Sequence, residues 1–262
     1  MDIFDNEIEI IRAFQDVAPS SVMFAPECTL EGEKLYLSIK DAAQWTQWHD
    51  SSGKADPPPD FYSNAHGYMM DVMRVDDHGF RNKKGKTVNP SRMRESELAR
   101  ELRDKGILDA FPNAKLVMTV DTKLPTHEDH NYNFYRNNFV RAVEAHKKKI
   151  PNYKANHPSL KTVFFIFDES SPYMEVPHKI NNPLVGTSVM ARPHFWWADE
   201  NFISVFVNSN IDYVIWFTPY KHCEMYDQHG NPATMPVIKM IDTKQRVDAH
   251  KYDEDLMESV EI

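Results

Sequence analysis

The chain has 262 residues, of which 41% are hydrophobic and 26% charged, and its formal net charge is −9. This balance predicts a folded protein with a buried core and argues against intrinsic disorder. The acidic average disfavours a protein that coats nucleic acid non-specifically, although basic residues cluster locally, as at 147–149.

The cysteine content and the first residues indicate the cellular compartment. The two cysteines, Cys28 and Cys223, are far apart and lie in no metal-binding or redox motif, as expected in a reducing compartment. The first residues lack the basic and apolar regions of a signal peptide, and no apolar run reaches the roughly 18 residues that span a bilayer. We therefore expect a cytoplasmic protein that does not associate with membranes.

Hydrophobic periodicity predicts the elements of the first half of the chain. In order, they are a helix from residue 5 or 6 to 17, a strand over 34–39, a short helix over 42–48, a loop over 51–59, a strand over 67–75, an exposed polar segment over 76–90 and a helix over 91–105.

The second half begins with the most distinctive strand, over 115–124, and continues with helices and strands in alternation. The predicted elements are a helix over 131–149, a strand over 162–167 that is apolar on both faces, an irregular segment over 172–193, a short helix from 199 or 200, a strand over 213–217, an edge strand over 237–240 and an acidic helix after 250. This order predicts a single α/β domain over residues 1–262, with one mixed central sheet flanked by helices.

Two acidic positions stand out within these strands. Residues i and i+2 of a strand point to the same face, so Asp121 and Lys123 lie side by side at the end of the 115–124 strand. In the preceding strand, Asp71 has only apolar neighbours on both sides. A charge in such a position is costly to bury unless a metal or another partner compensates it.

The element order α-β-β-β-α-β, with an acid in the second strand and Asp121-Thr122-Lys123 in the third, resembles the PD-(D/E)XK nuclease superfamily, which has the restriction-endonuclease-like fold. The resemblance covers about residues 5–168, with a C-terminal α/β extension over about 172–250 and an acidic tail over 251–262. It implies that Asp71 and Asp121 bind Mg²⁺ or Mn²⁺ and that Lys123 helps to activate the attacking water. It also implies a glutamate from the first helix, for which Glu7 matches best, and the carbonyl of Thr122 is a further candidate ligand.

The sequence does not decide which residue is the acid of the second strand. The separation of Asp71 from Asp121 is long and requires the 91–105 helix to be an insertion between paired strands. No proline precedes Asp71, whereas Pro59-Asp60 occurs in the predicted loop. Asp60, Asp76 and Asp77 are therefore alternatives to Asp71.

The predicted function is metal-dependent cleavage of a phosphodiester bond in DNA or RNA. Mg²⁺ accepts one or two carboxylates, keeps several waters, and lowers the pKa of a bound water. A homodimer would suit an enzyme that cuts two strands. The alternative is a non-catalytic binding or assembly protein on the same scaffold, with its aromatic C-terminal region as the interface.

Three other features have two interpretations each. His127 and His130 could bind a transition metal, but a polar cap at the start of the following helix is favoured. Asp168 and Glu169 follow the central strand, where acids often face a ligand crevice, and Asp168 could instead cap the next turn. The aromatic run 195–197 could stack on bases, but packing against the sheet is favoured.

Overall fold

A mixed seven-stranded sheet lies between two layers of helices. The computed structural model describes residues 6–52, 59–81, 87–110, 130–177, 191–221, 225–226, 232–233, 236–245 and 247–260. The predicted strand over 115–124, with Asp121, Thr122 and Lys123, lies outside the described residues.

The central strands of the sheet are parallel, and an antiparallel pair adjoins them on each side. In space the order is β1-β13-β10-β7-β4-β3-β2, with β4, β7 and β10 parallel to one another. The strands β2, β3 and β4 form an antiparallel meander. The strands are β1 (Val22–Ala25), β2 (His49–Asp50), β3 (Phe61–Ser63), β4 (Tyr68–Val75), β5 (Phe80–Arg81), β6 (Thr87–Val88), β7 (Lys161–Asp168), β8 (Tyr173–Glu175), β9 (Arg192–Pro193), β10 (Tyr213–Phe217), β11 (Met225–Tyr226), β12 (Pro232–Ala233), β13 (Ile238–Asp242) and β14 (Met257–Ser259).

Several helices begin where a short polar side chain accepts hydrogen bonds from the first-turn amides. Asn6 accepts from the Glu9 amide at 3.1 Å, and Asn131 accepts from the Asn133 amide at 3.0 Å. The helices are α1 (Glu7–Asp16), α2 (Leu30–Lys40), α3 (Ala42–Trp45), α4 (Pro90–Asp104), α5 (Ile107–Ala110), α6 (Tyr132–Lys147), α7 (Ile150–Asn156) and α8 (Glu200–Ile203). Among the described residues, no helix is long and apolar enough to cross a membrane.

The two faces of the sheet bury separate cores. The helices α1 and α2 cover one face, where Phe14 packs edge-on against Phe165. The helix α6 covers the other face, where Phe139 packs against Trp216. Side chains alternate along each strand, so β7 contributes buried residues to both cores and is central, as its doubly apolar sequence predicts.

The predicted strand over 34–39 is wrong, because this segment belongs to the helix α2. A strand would place Leu35, Leu37 and Ile39 on one face. Instead Leu35, Tyr36 and Ile39 are buried, and Leu37 is 41% exposed. That spacing is helical, and Thr29 accepts a hydrogen bond from the Gly32 amide at 3.0 Å at the start of the helix.

Three further expectations need correction. The predicted edge strand over 237–240 is β13, which lies inside the sheet because it pairs with both β1 and β10. The predicted acidic helix after 250 is instead a short 3₁₀ turn followed by β14, which pairs with β8. The segment 76–90, predicted to be exposed, contains Asp77, which is fully buried.

Candidate functional site

Of the three acids that the superfamily resemblance assigns to the site, the structure describes Asp71 and Glu7. The helices around Asp71 are not the helix that carries Glu7. Asp71 lies in β4 and is 2% exposed. Its neighbours on the same face, Met69 and Met73, pack with the residues of α6 and α7. Glu7 is the first residue of α1, which packs against the opposite face.

The Asp71 carboxylate is held by side chains from two helices. Its Oδ2 atom accepts a hydrogen bond from the Tyr153 hydroxyl at 2.9 Å and lies 2.5 Å from Nδ1 of His146. His146 belongs to the last turn of α6 and Tyr153 to α7. The His146 side chain is 20% exposed, so this otherwise enclosed carboxylate has a polar connection to solvent.

A second carboxyl group, that of Asp60, contacts Asp71. Asp60 directly precedes β3, and its Oδ2 atom accepts a hydrogen bond from the Val72 amide at 2.7 Å. Burial, the negative charge of Asp71 and a hydrogen bond between the two carboxyl groups raise the pKa of Asp60 to about 8. The charge of Glu7 also raises this pKa, but by less than burial, the charge of Asp71 or the hydrogen bond to Asp71. This shift favours the protonated form of Asp60 at neutral pH.

From the sequence, Asp60 is only an alternative to Asp71, because the residues before it are predicted to form a loop. The signal that could have raised its rank is the literal Pro59-Asp60 placed one short strand before Asp71. His146 and Tyr153 carried no signal of their own, since they lie 75 and 82 residues from Asp71 along the chain.

Another polar group lies beyond the carboxyl end of β4. Asp77 is fully buried, and its Oδ2 atom accepts hydrogen bonds from the Ser171 hydroxyl and the Tyr173 hydroxyl, each at 2.6 Å. His130, which directly precedes the N-cap of α6, places Nδ1 3.3 Å from the same oxygen. Burial would raise the pKa of Asp77, but the hydrogen bond from His130 and the charges of His130 and His78 outweigh it. The pKa of Asp77 is therefore held well below its usual range.

Asp77, His78 and His130 form a group with the ligand types that bind transition metals. One potential ligand atom from each residue lies within 4.8 Å of the others. In the described part of the chain, no other group of three His, Cys, Asp or Glu side chains has its ligand atoms this close together. The cap of α6 is Asn131 rather than His130, and the predicted partner His127 lies outside the described residues.

Asp168, which ends the central strand β7, forms a buried ion pair. Its Oδ2 atom lies 2.9 Å from Nζ of Lys221, and both side chains are almost fully enclosed. The Tyr135 hydroxyl and the Trp216 indole N–H also donate to this oxygen, at 2.7 and 2.8 Å. Asp168 faces protein groups rather than an open crevice, so it supports the interior of the domain at this edge.

The aromatic run 195–197 packs largely against the sheet. Trp196 is 1% exposed and stacks on Trp216 with ring centroids 3.5 Å apart. Its ring is therefore not accessible to a nucleic-acid base, as the packing interpretation predicts.

Comparisons of the chain with protein-family models, with curated proteins and with solved structures returned no match.

Proposed function

We propose that the chain is a metal-dependent phosphodiesterase that cleaves DNA or RNA, and that Asp60 and Asp71 hold its Mg²⁺ or Mn²⁺. The observation that carries this proposal is the contact between the two carboxyl groups, which raises the pKa of Asp60 to about 8. Two acids in one partly enclosed site must share a proton or bind a cation to offset their repulsion. Mg²⁺ suits such a site, since one or two carboxylates and several waters complete its coordination.

The topology supports the same assignment. If β1, α2 and α3 before the meander and the elements β5 to α5 after it are treated as insertions, then α1, the antiparallel meander β2-β3-β4, the helix α6 and the parallel strand β7 follow the order α-β-β-β-α-β of the PD-(D/E)XK superfamily. When the meander is aligned with the three strands of the superfamily core, Asp60 corresponds to the acid of the second strand. Asp71 then corresponds to the first acid of the third strand. The pair thus takes the roles that the sequence suggested for Asp71 and Asp121.

The site departs from the superfamily pattern at its cation. Met73, not lysine, stands two residues after Asp71. The described residue at this carboxylate that can carry a positive charge, as lysine does, is His146. Its Nδ1 atom lies 2.5 Å from Oδ2 of Asp71. We propose that His146 orients the Asp71 carboxylate and that Lys123 remains the candidate for holding the water.

The basic end of α6 supports a phosphate-containing substrate. Lys148 and Lys149 are exposed, and only Lys147 separates them from His146 in the chain. Exposed cations beside a carboxylate site attract a polyanion and offset charge on its phosphates. A bound Mg²⁺ would polarise the phosphate and lower the pKa of a water.

The experiment is a cleavage assay on plasmid DNA, single-stranded DNA and RNA with Mg²⁺ or Mn²⁺. We expect the wild type to cleave at least one substrate and a chelator to stop it. Asp60→Asn and Asp71→Asn preserve side-chain shape and should lower the rate at least 100-fold. Lys123→Ala should also lower it.

The matched control is Asp248→Asn, since Asp248 is exposed and distant in sequence from the pair. It should cleave like the wild type. Absence of cleavage with every substrate and metal, or wild-type rates in both Asp60→Asn and Asp71→Asn, would overturn the proposal.

The second candidate is a non-catalytic binding or assembly protein. It is favoured by the enclosure of Asp71, whose Oδ2 atom already accepts from the Tyr153 hydroxyl, and by Met73 in place of lysine. In that case the carboxyl pair is structural. The assay would then show no metal-dependent cleavage, while Asp60→Asn would still change stability.

A further inference from the structure

We propose that Asp77, His78 and His130 form a second metal site, separate from the carboxyl pair, which binds a divalent first-row transition ion such as Zn²⁺. The three residues bring their potential ligand atoms within 4.8 Å of one another. The site goes beyond the proposed nuclease function and does not depend on it.

The ligand set selects the class of metal. Two imidazoles and one carboxylate suit Zn²⁺ and its neighbours, whereas Mg²⁺ prefers sites made of oxygen alone. Ligands about 2.0–2.2 Å from one tetrahedral Zn²⁺ lie roughly 3.4 Å apart. Both histidines are only partly buried, and shortening the ligand distances from 4.8 Å to this value requires their side chains to rotate.

Asp77 is the rigid member of the site. Its Oδ2 atom accepts from the Ser171 amide at 3.0 Å, besides the Ser171 and Tyr173 hydroxyls. Its Oδ1 atom is buried and has no hydrogen-bond partner within the described structure. A buried carboxylate oxygen without a partner is costly, and a cation would satisfy it while the other oxygen stays fixed by its donors.

The backbone holds the two histidines together. His78 and His130 form an isolated β-bridge, with ring centroids 4.7 Å apart. The Asn131 amide donates to the Asp77 carbonyl at 3.4 Å. At Gly79 a Cβ atom would collide with the ring of Phe134, so only glycine allows the first turn of α6 to approach this closely.

The location at the sheet edge favours a site open to a ligand. Asp77 lies two residues beyond β4, and Ser171 lies three residues beyond the parallel neighbour β7. Ligands of open α/β sheets bind beyond the carboxyl ends of parallel strands. Three protein ligands also leave at least one position of a tetrahedral ion for water, as in catalytic rather than structural zinc sites.

The test is zinc binding by the full-length protein after removal of metal with a chelator. Titration calorimetry and elemental analysis should show about one Zn²⁺ per chain. His130→Gln and His78→Gln should each weaken the affinity at least tenfold. The controls His49→Gln, at an exposed histidine, and Asp248→Asn, at an exposed aspartate, should bind zinc like the wild type.

The Co²⁺-substituted protein provides a readout that needs no variant. Its visible absorption should have the intensity of a four- or five-coordinate site, and Zn²⁺ should displace it at one equivalent. A wild type that binds no zinc after chelator treatment, or unchanged affinity in both histidine variants, would overturn the proposal. Both results are independent of whether the protein cleaves nucleic acid.

Discussion

The carboxyl group of Asp60 hydrogen-bonds to that of Asp71, and this contact together with burial raises the pKa of Asp60 to about 8. The contact joins the residue before β3 to the middle of β4. The protonation of this pair, its affinity for a cation and its hydrogen bond to α7 can each be measured in solution.

Asp60 makes stability fall as pH rises. Its pKa of about 8 in the folded protein exceeds the ordinary value of 3.8, so between these values the unfolded chain loses a proton that the native protein retains. The contribution is fully present below about pH 4 and is lost as pH rises to about 8, at no more than about 1.4 kcal/mol per pH unit. Asp60→Asn removes this dependence and should be more stable than the wild type at pH 8–9.

Urea unfolding midpoints between pH 4 and 9 measure this effect. The amide side chain introduced by Asp60→Asn keeps an acceptor for the Val72 amide, so the fold should be preserved. The exposed Asp248→Asn should follow the wild-type curve. If Asp60→Asn and the wild type lose stability in parallel across this range, the pKa of Asp60 is not raised in the folded protein.

Binding of Mg²⁺ to the carboxyl pair should release a proton at pH 7, because the cation replaces the proton on Asp60. Calorimetric titrations in buffers of different ionisation enthalpy should give about one proton per Mg²⁺. Release should vanish at about pH 9.5, where Asp60 is already ionised. Binding without proton uptake or release at pH 7 would place the cation elsewhere.

Tyr153→Phe should lower the free energy of unfolding by about 1–3 kcal/mol, because it removes a donor from the buried Asp71 carboxylate. Tyr220→Phe is the matched control, since the Tyr220 side chain is 44% exposed. Its effect should stay within about 0.5 kcal/mol. Chemical denaturation of the two variants compares them directly, and equal effects would argue against the Asp71 contact.

Lys221→Met should destabilise the protein by about 3–5 kcal/mol, because it leaves the Asp168 carboxylate buried without its cation. Adding Asp168→Asn should restore part of this loss, since the second change removes the unpaired charge. Lys244→Met removes the cation of a pair with Asp212 in which the Lys244 side chain is 66% exposed, and it should cost about 0–1 kcal/mol. An additive double variant would contradict the coupling of Lys221 to Asp168.

Gly79→Ala should destabilise the protein by about 1–3 kcal/mol, because the new Cβ atom collides with the Phe134 ring. Phe134→Leu removes the ring and should lessen the effect of Gly79→Ala when the two are combined. Thermal unfolding of both single variants and of the double variant measures the coupling. Zinc affinity in Gly79→Ala should also fall if the approach of α6 positions His130.

Much of the fold follows from local pattern. The six-residue apolar run at 162–167 predicts a central strand, and β7 is indeed buried on both faces. Helical spacing predicts a helix over 131–149, and α6 occupies Tyr132–Lys147 with Asn131 as its N-cap. The short apolar run at 34–39 predicts a strand, and only the packing of Leu35 and Ile39 against the sheet reveals its helical period.

The site was only partly visible in the sequence. Asp71 stands out because a carboxylate among methionines and valine needs compensation, and that argument uses adjacent residues alone. Its partners Asp60, His146 and Tyr153 are recruited by strand register and helix packing, which no local pattern encodes. Asp121 and Lys123 lie outside the described residues, so the role of Lys123 remains a prediction, and the proposed site assigns to Asp71 the metal-binding role that the sequence suggested for Asp121.

The sequence by itself therefore determined that this chain folds as an α/β protein and that Asp71 requires a partner. The tertiary structure decided which groups supply one, and it brought Asp77 and His130 together from positions 53 residues apart. The physical reason is that burial and charge compensation depend on distances in space. Those distances are set when β3, α6 and α7 close around β4, and they are independent of separation along the chain.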